Sequence, residues 1–269
     1  MTGIIAGTIA GSTAGAARGE RLAEQVADHI RGQILRGELA DGAPLPKSEE
    51  LIQRYPVSMP TFREAMRILE AEGLITVRRG RLGGAVVHRP SAANLGYNLG
   101  LVLAAQRASI DDVATALRHV EPACAALCAG RPDRADTVVP VLRALHEEYL
   151  ARIDDLVEVV GVSRRFHEAL VSLCGNPPLI VLAGALEALW SSHEQDWATR
   201  IRETTGVPLS ERRAAGRTHG RILALIEQGA VDEVQRLVTE HLTDAQRNPS
   251  PAGPSAVIDA ALIRRQPQP

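Results

Sequence analysis

Apolar residues recur at three- and four-residue steps through most of the chain, and strand-like alternation is confined to one short stretch. Over residues 21–35, Leu22, Val26, Ile30 and Ile34 fall one helical turn apart and predict an amphipathic helix. Ser48 opens a second, short helix over 49–54. A third is predicted over 60–72. Ser58 stands at its N-cap and Pro60 in its first turn, where a missing N–H costs nothing. Phe62, Ala65, Met66 and Leu69 form its apolar stripe, leaving Thr61, Arg63, Glu64 and Arg67 on other faces. Gly73 follows, able to take the left-handed conformation that ends a helix. Ile75 and Val77 then alternate with Thr76 and Arg78 as in a half-buried strand. Gly80, Gly83 and Gly84 permit a tight turn before a second strand over 85–88. Three helices and a hairpin predict a winged helix-turn-helix over residues 20–90.

Beyond the hinge-like Arg89-Pro90-Ser91 the strand signal does not return. Helical periodicity places helices near 93–106, 110–129, 135–151, 155–174, 178–203, 209–228 and 231–247, separated by glycine and proline clusters such as Gly175-Asn176-Pro177-Pro178. The expected fold class is therefore mainly α, with an all-helical antiparallel bundle over 91–247 whose interior can hold a ligand. Residues 1–19 are expected to be a flexible tail, because repeated glycines dilute their apolar character and no positive charge precedes it as in a signal peptide. The proline-rich segment 248–269 is expected to be disordered, with 256–264 able to form a weak helix.

A length of 269 residues and 45% hydrophobic content suit two ordinary domains. The net charge of −2 excludes a general polycation, yet residues 54–89 carry seven arginines against three acids. Positive charge is thus concentrated on the winged helix, as neutralising DNA phosphates requires. Three cysteines, an odd number, argue for a reducing compartment and a cytoplasmic protein rather than a disulfide framework. Cys124 and Cys128, one turn apart, read as small apolar residues on a buried face. No apolar run has the length of a membrane span, so no membrane partner is expected.

The segments IRGQILRGELADGAPLPKSEEL and VSMPTFREAMRILEAEGLITVRRGRLGGAVV resemble the DNA-binding domain of GntR-family bacterial repressors. Further on, LRHVEPACAALCA, RRFHEALVSLCGNPPL and THGRILALIEQGAVDEVQRLVTEHL resemble the ligand-sensing helical domain of the FadR subfamily, over about 110–247. The first resemblance implies that the third helix enters the major groove of double-stranded DNA while the wing meets the minor groove or backbone. It assigns Arg63 to guanine recognition and Ser58, Thr61 and Arg67 to phosphate or base contacts. Lys47 and the wing tip Arg79, Gly80 and Arg81 join them. Met59 and Glu49 stand where the family commonly has arginine, so the operator is expected to differ from the usual family sequence. A homodimer on a palindromic operator follows from the half-site each reading head covers.

The second resemblance maps three metal-binding histidines of many relatives onto His167, His219 and His241. Imidazole ligands suit zinc or another divalent transition metal. The aspartate that precedes the first histidine by four residues in the family is Ser163 here, which carries no charge. The same histidines can instead hydrogen-bond an acidic effector without metal, and that alternative stays open. An arginine of the early helix is replaced by Leu117, with Arg118 beside it. The effector set implied is Arg118, Ser163, His167, His219 and His241, for a small carboxylate or a more apolar acid. The function implied is a ligand-responsive transcriptional regulator, a repressor in most relatives, and not an enzyme. An effector-independent DNA-binding protein and a metal-dependent hydrolase are the rival readings.

Overall fold

The computed structural model describes residues 6–46, 48–78, 84–201, 207–245 and 257–258. The chain divides into two compact units, Met1–Pro90 and Ser91–Pro269.

In the first unit, α1 (Ala6–Leu35), α2 (Ser48–Arg54) and α3 (Met59–Ala71) precede a hairpin of β1 (Ile75–Arg78) and β2 (Gly84–Val87). The helical spacing predicted for 21–35 is realised as a buried stripe of Val26, Ile30 and Ile34 that meets Phe62, Ala65 and Leu69 of α3. Ile75 and Val87, paired across the hairpin, close the same core. The segment 42–45 runs beside β2, with the Leu45 amide donating to the Ala85 carbonyl (2.8 Å) and the Val87 amide to Ala43 (2.9 Å). This contact ties the entry loop to the wing's base.

The end of α3 shows why its direction is fixed. Gly73 sits at φ +73°, and the amides of Leu74 and Gly73 donate back to the carbonyls of Leu69 (2.9 Å) and Glu70 (3.1 Å), so the helix stops with these two end carbonyls satisfied and the strand begins. Arg31 of α1 clasps the carboxylate of Glu72 with two hydrogen bonds, 2.8 and 2.6 Å.

One expectation fails at the N-terminus. Residues 1–19 were to be a flexible tail, but α1 begins at Ala6; residues 1–5 lie outside those described. The physical reason is propagation. The packed half of α1 supplies the nucleus, and Ala10, Ala14, Ala16 and Ala17 add strong helix formers that outweigh the interspersed glycines.

The second unit is helical throughout its described residues: α4 (Ala92–Ala105), α5 (Ile110–Gly130), α6 (Arg134–Thr137), α7 (Val139–Ala151), α8 (Leu156–Ser172), α9 (Pro177–Ile201), α10 (Leu209–Gln228) and α11 (Val231–Ala245). Helix α5 is central and touches α8, α9, α10 and α11. It is entered by a reciprocal cap in which Ser109 and Asp112 bond each other's backbone amides. The main core gathers Cys124, Cys128, Leu142, Phe166, Leu170, Ile222, Ile226 and Val238. The single helix expected over 135–151 is two, because Pro140 in the first turn of α7 cannot donate to the preceding turn, and Val138 lies between them.

The C-terminal segment brings a second correction. Within the stretch expected to be disordered, Val257 bridges to Ser109 and the Ile258 amide donates to the Ala108 carbonyl (3.1 Å). Ile258 is buried with Ile110, Val113, Leu117 and Leu189. Composition predicts disorder by averaging, and a single apolar residue landing in a pocket escapes the average. The rest of 246–269 lies outside the described residues. Among the described residues no helix is long and apolar enough to cross a membrane.

Candidate DNA-reading face and ligand cavity

In the first unit the N-terminus of α3 is built by its cap. Ser58 has extended backbone and its hydroxyl accepts from the Thr61 amide (3.4 Å), while the two hydroxyls lie 2.9 Å apart. These two residues therefore mark the positive end of the helix dipole, where phosphate oxygens are favoured. One turn on, Arg63 is exposed and Arg67 pairs with Glu64 at 2.9 Å. That exposed pair is weak and leaves Arg67 easily exchanged onto a phosphate. Met59, 43% exposed in the first turn, presents an apolar side chain on the same end. It suits a thymine methyl and cannot donate to guanine. Lys47, Arg79, Gly80 and Arg81 lie outside the described residues.

In the second unit a cavity of about 580 Å³ opens between α8, α10 and α11. Leu156, Val159 and Val160 of α8 give it an apolar wall, Ala214, Ala215 and Thr218 give it one face of α10, and His241 and Ser163 lie in its lining. His241 belongs to a cluster. His167 from α8, His219 from α10 and His241 from α11 bring one ring nitrogen each within 4.8 Å of the others. The Nε2 atoms of His219 and His241 are 3.2 Å apart.

Packing sets these rings. Phe166 stacks on His219 at 4.5 Å between centroids and 14° between planes, and Tyr149 meets the same ring edge-on at 5.1 Å. Gly216 and Gly220 admit this arrangement, since a methyl group there would press on the rings of Tyr149 and His146. His167 and His241 lie parallel at 5.4 Å. Burial pushes the His219 pKa well below its ordinary value, and repulsion from His167, His241 and His146 pushes the same way. Burial, then His167, brings His241 down to about 4, against the opposing pull of Glu121. Both rings are neutral near pH 7 and keep a lone pair for a cation.

Sequence reasoning gave Glu121 no role beyond its place in a motif. It is fully buried, bonds Nδ1 of His167 through Oε1, and keeps Oε2 without a partner. A carboxylate on one ring nitrogen orients the other toward a metal and strengthens it as a ligand. The signal was a lone acid on the apolar face of α5, four residues after Leu117 and three before Cys124. His193 of α9 also lines the cavity.

The donor set fits a divalent transition metal. Bonds of about 2.0–2.1 Å in tetrahedral geometry place ligand nitrogens roughly 3.4 Å apart, close to the His219–His241 spacing. Two neutral Nε2 atoms facing each other otherwise require one to be protonated toward the other. Ser163 lies one turn before His167, where it adds a hydroxyl but no charge. Of the predicted effector residues, Ser163 and His241 line the cavity, His167 and His219 join His241 in the cluster without being in the lining, and Arg118 belongs to neither. Arg118 is absent from the cavity lining and donates to the Thr115 hydroxyl (2.7 Å), because the one-residue step rotates it away from the face on which Leu117 is buried.

A winged helix in one unit and a helical bundle with a histidine-rimmed cavity in the other define a DNA-binding regulator with a ligand-binding domain. Family comparison makes the assignment specific. The profile of bacterial regulatory proteins of the gntR family matches residues 22–86, and the FCD domain profile matches 111–244. The chain belongs to the GntR family of transcriptional regulators, in its FadR-type, FCD-bearing branch, and that family is one of regulators and not of enzymes. It is similar to the HTH-type transcriptional repressor NanR of Cronobacter sakazakii (strain ATCC BAA-894), 42% identical over 59 residues, and to NanR of Klebsiella aerogenes, 41% identical over 59 residues. Each match covers 22% of this chain and 22% of the relative. Streptococcus agalactiae GntR shares the fold, with a TM-score of 0.61 at 22% identity over 84% of this chain and all of that one.

Proposed function

We propose that the protein binds a palindromic operator as a homodimer and that a small molecule in the α8–α10–α11 cavity alters its operator affinity, most simply as a repressor released by ligand. The observation that carries this reading is the separation of tasks. Arg63 is exposed on a capped helix amid basic residues, while a second unit holds a cavity lined by His241 of the histidine cluster.

Each reading head reaches one half-site, so tight binding requires two copies related by a two-fold axis. NanR relatives are named as repressors, which supports the same sign here. His167, His219 and His241 would hold a divalent transition metal, with Glu121 behind His167. When bound, the metal supplies a positive centre for an anionic group of the ligand. Ser163 and Thr218 offer hydroxyls at the cavity wall, and Leu156, Val159 and Val160 exclude water from an apolar body. A ligand that prefers one arrangement of the dimer changes operator affinity by its differential affinity for the two states. A reader of chromosomal DNA works in the cytoplasm of a bacterium.

The test is a footprint on the promoter of the protein's own gene, repeated with EDTA, with zinc and with a metabolite extract. A protected inverted repeat that weakens on adding extract is the expected result. Protection that no condition changes would remove the effector from this reading.

A further inference from the structure

Helix α4 has the composition of an interior helix, yet one of its sides faces water. Its 14 residues, AANLGYNLGLVLAA, include none that is charged, in a chain where 23% of residues are. The first side is spent on the bundle. Gly96 and Gly100 are buried, and a methyl group at Gly96 would stand 3.0 Å from the Ala185 carbonyl oxygen and 3.1 Å from the Ala188 methyl of α9. Tyr97, Leu99 and Leu103 pack against the core that holds Ile110 and Leu189.

The second side is hardly less apolar. Leu95, Asn98, Leu101, Val102 and Ala105 are all exposed, Leu101 at 47% and Val102 at 55%. At about 100° per residue they fall within an arc of about 120°, opposite Gly96 and Gly100. A helix side meant for water carries charged residues, and a helix apolar all round is one that is covered all round. From Leu95 the steps to Asn98, Val102 and Ala105 are three, four and three residues, the spacing of a helix–helix seam. The patch continues onto α9. Gly184 lies against Ala92, and Val181 and Leu182, in the turn before it, are exposed as well.

Chemistry selects what covers this face. Without a lysine or arginine it offers an anionic lipid surface nothing to hold, and without charge it gives a foreign protein little to be chosen by. The same lack of charge lets two copies meet about a two-fold axis with no like charges brought together, as a self-complementary contact demands. Asn98 is the polar member of the exposed set. Its amide both donates and accepts, so it can bond an identical chain and fix one register in an apolar seam. Connectivity points the same way: Ser91, the cap of α4, is the first residue past the first unit, so pairing here joins two chains next to the points from which their reading heads hang.

We propose that this side of α4, with Val181 and Leu182 of α9, is the dimerisation surface of the second unit and that its occupant is a second copy of this chain. The proposal rests on the reading of the protein as a two-fold dimer and names the surface that makes it one. A helix of 14 residues is about 21 Å long, too short to bury alone the roughly 800 Å² per partner of a standard interface, so the start of α9 belongs to the contact.

Sedimentation equilibrium of the full-length protein without DNA is the test. Wild type should be dimeric at about 10 μM. Leu101→Glu and Val102→Glu each set the same new charge on both copies and should each weaken the dimer at least about a hundredfold. The uncharged double variant Leu101→Ser, Val102→Ser should weaken it at least about tenfold, and it decides the matter if either glutamate variant loses helical circular dichroism. Val141→Glu, at a comparably exposed apolar position on α7, should leave the dimer unchanged. A monomeric wild type, a dimer that the α4 variants leave intact, or one that Val141→Glu dissociates as readily would overturn the inference. Stoichiometry on an operator duplex reports separately on the reading beneath it: a single copy per operator would contradict the two-fold dimer itself, whereas two copies per operator with an undisturbed α4 variant would contradict only the surface named here.

Discussion

The Nε2 atoms of His219 and His241 face each other across 3.2 Å, from two helices, in a site where both rings are neutral. Phe166 and Tyr149 hold the first ring and leave it little freedom to turn away. The pair is therefore prepared for a cation between the rings, and what the site lacks in charge at Ser163 is supplied in part by Glu121 behind His167.

Two substitutions separate those contributions. Glu121→Gln should weaken zinc binding about 10- to 100-fold while leaving the fold intact, because it removes the charge that orients and strengthens His167. Ser163→Asp adds a carboxylate one turn before His167 and should tighten binding. Competition against a chromophoric chelator measures both. Equal affinities in all three proteins would place the metal elsewhere.

Acid should destabilise the metal-free protein through the same rings. His241 ordinarily titrates near 6.5 and is held at about 4 in the folded chain, so as pH falls through 6.5 the unfolded chain takes up the proton first. Stability contributed by keeping this ring neutral is complete above about pH 6.5, is lost down to about 4, and is worth roughly 3 kcal/mol over the full window. His219 acts in the same direction. Urea unfolding of EDTA-treated protein at pH 7 and 4.5 measures the loss, and His241→Asn should make it shallower. A flat profile would contradict the burial of neutral imidazoles.

Docking of the C-terminal segment has its own signature. Ile258 is 3% exposed against Leu117 and Leu189, so Ile258→Ala should cost about 2 kcal/mol, the low end for such a truncation in a core. Thermal or urea unfolding reads it. No change would show that the segment contributes nothing to the bundle.

The contrast between these sites explains how far the sequence could be read. The winged helix was legible because local signals agree: Ser58 caps, Pro60 starts, Phe62 and Leu69 bury, and Gly73 stops α3. The histidines were placed by resemblance, but their mutual geometry depends on three helices and has no local spacing to betray it. Glu121 was missed for a related reason. It is fully buried on α5, and that fate is not written in its neighbours. The start of α1 and the docking of Ile258 were misjudged because composition describes a segment's average and not what it propagates from or lands on.

On the DNA side, Arg63→Ala should cost about 1–3 kcal/mol of specific binding and relax the operator at one base pair. Fluorescence anisotropy with the operator and with random duplex separates the two kinds of contact. Equal weakening on both would make Arg63 a phosphate contact.

The most direct measurement is operator binding by wild-type protein and by His219→Ala, each with and without the metabolite fraction that releases the wild type. His219 is fully buried in the second unit, so its loss should leave the footprint in place and abolish its response to the fraction. A variant released as readily as the wild type would contradict the part given to the histidine cluster in ligand sensing, and the absence of any protected site for either protein would contradict the regulator itself.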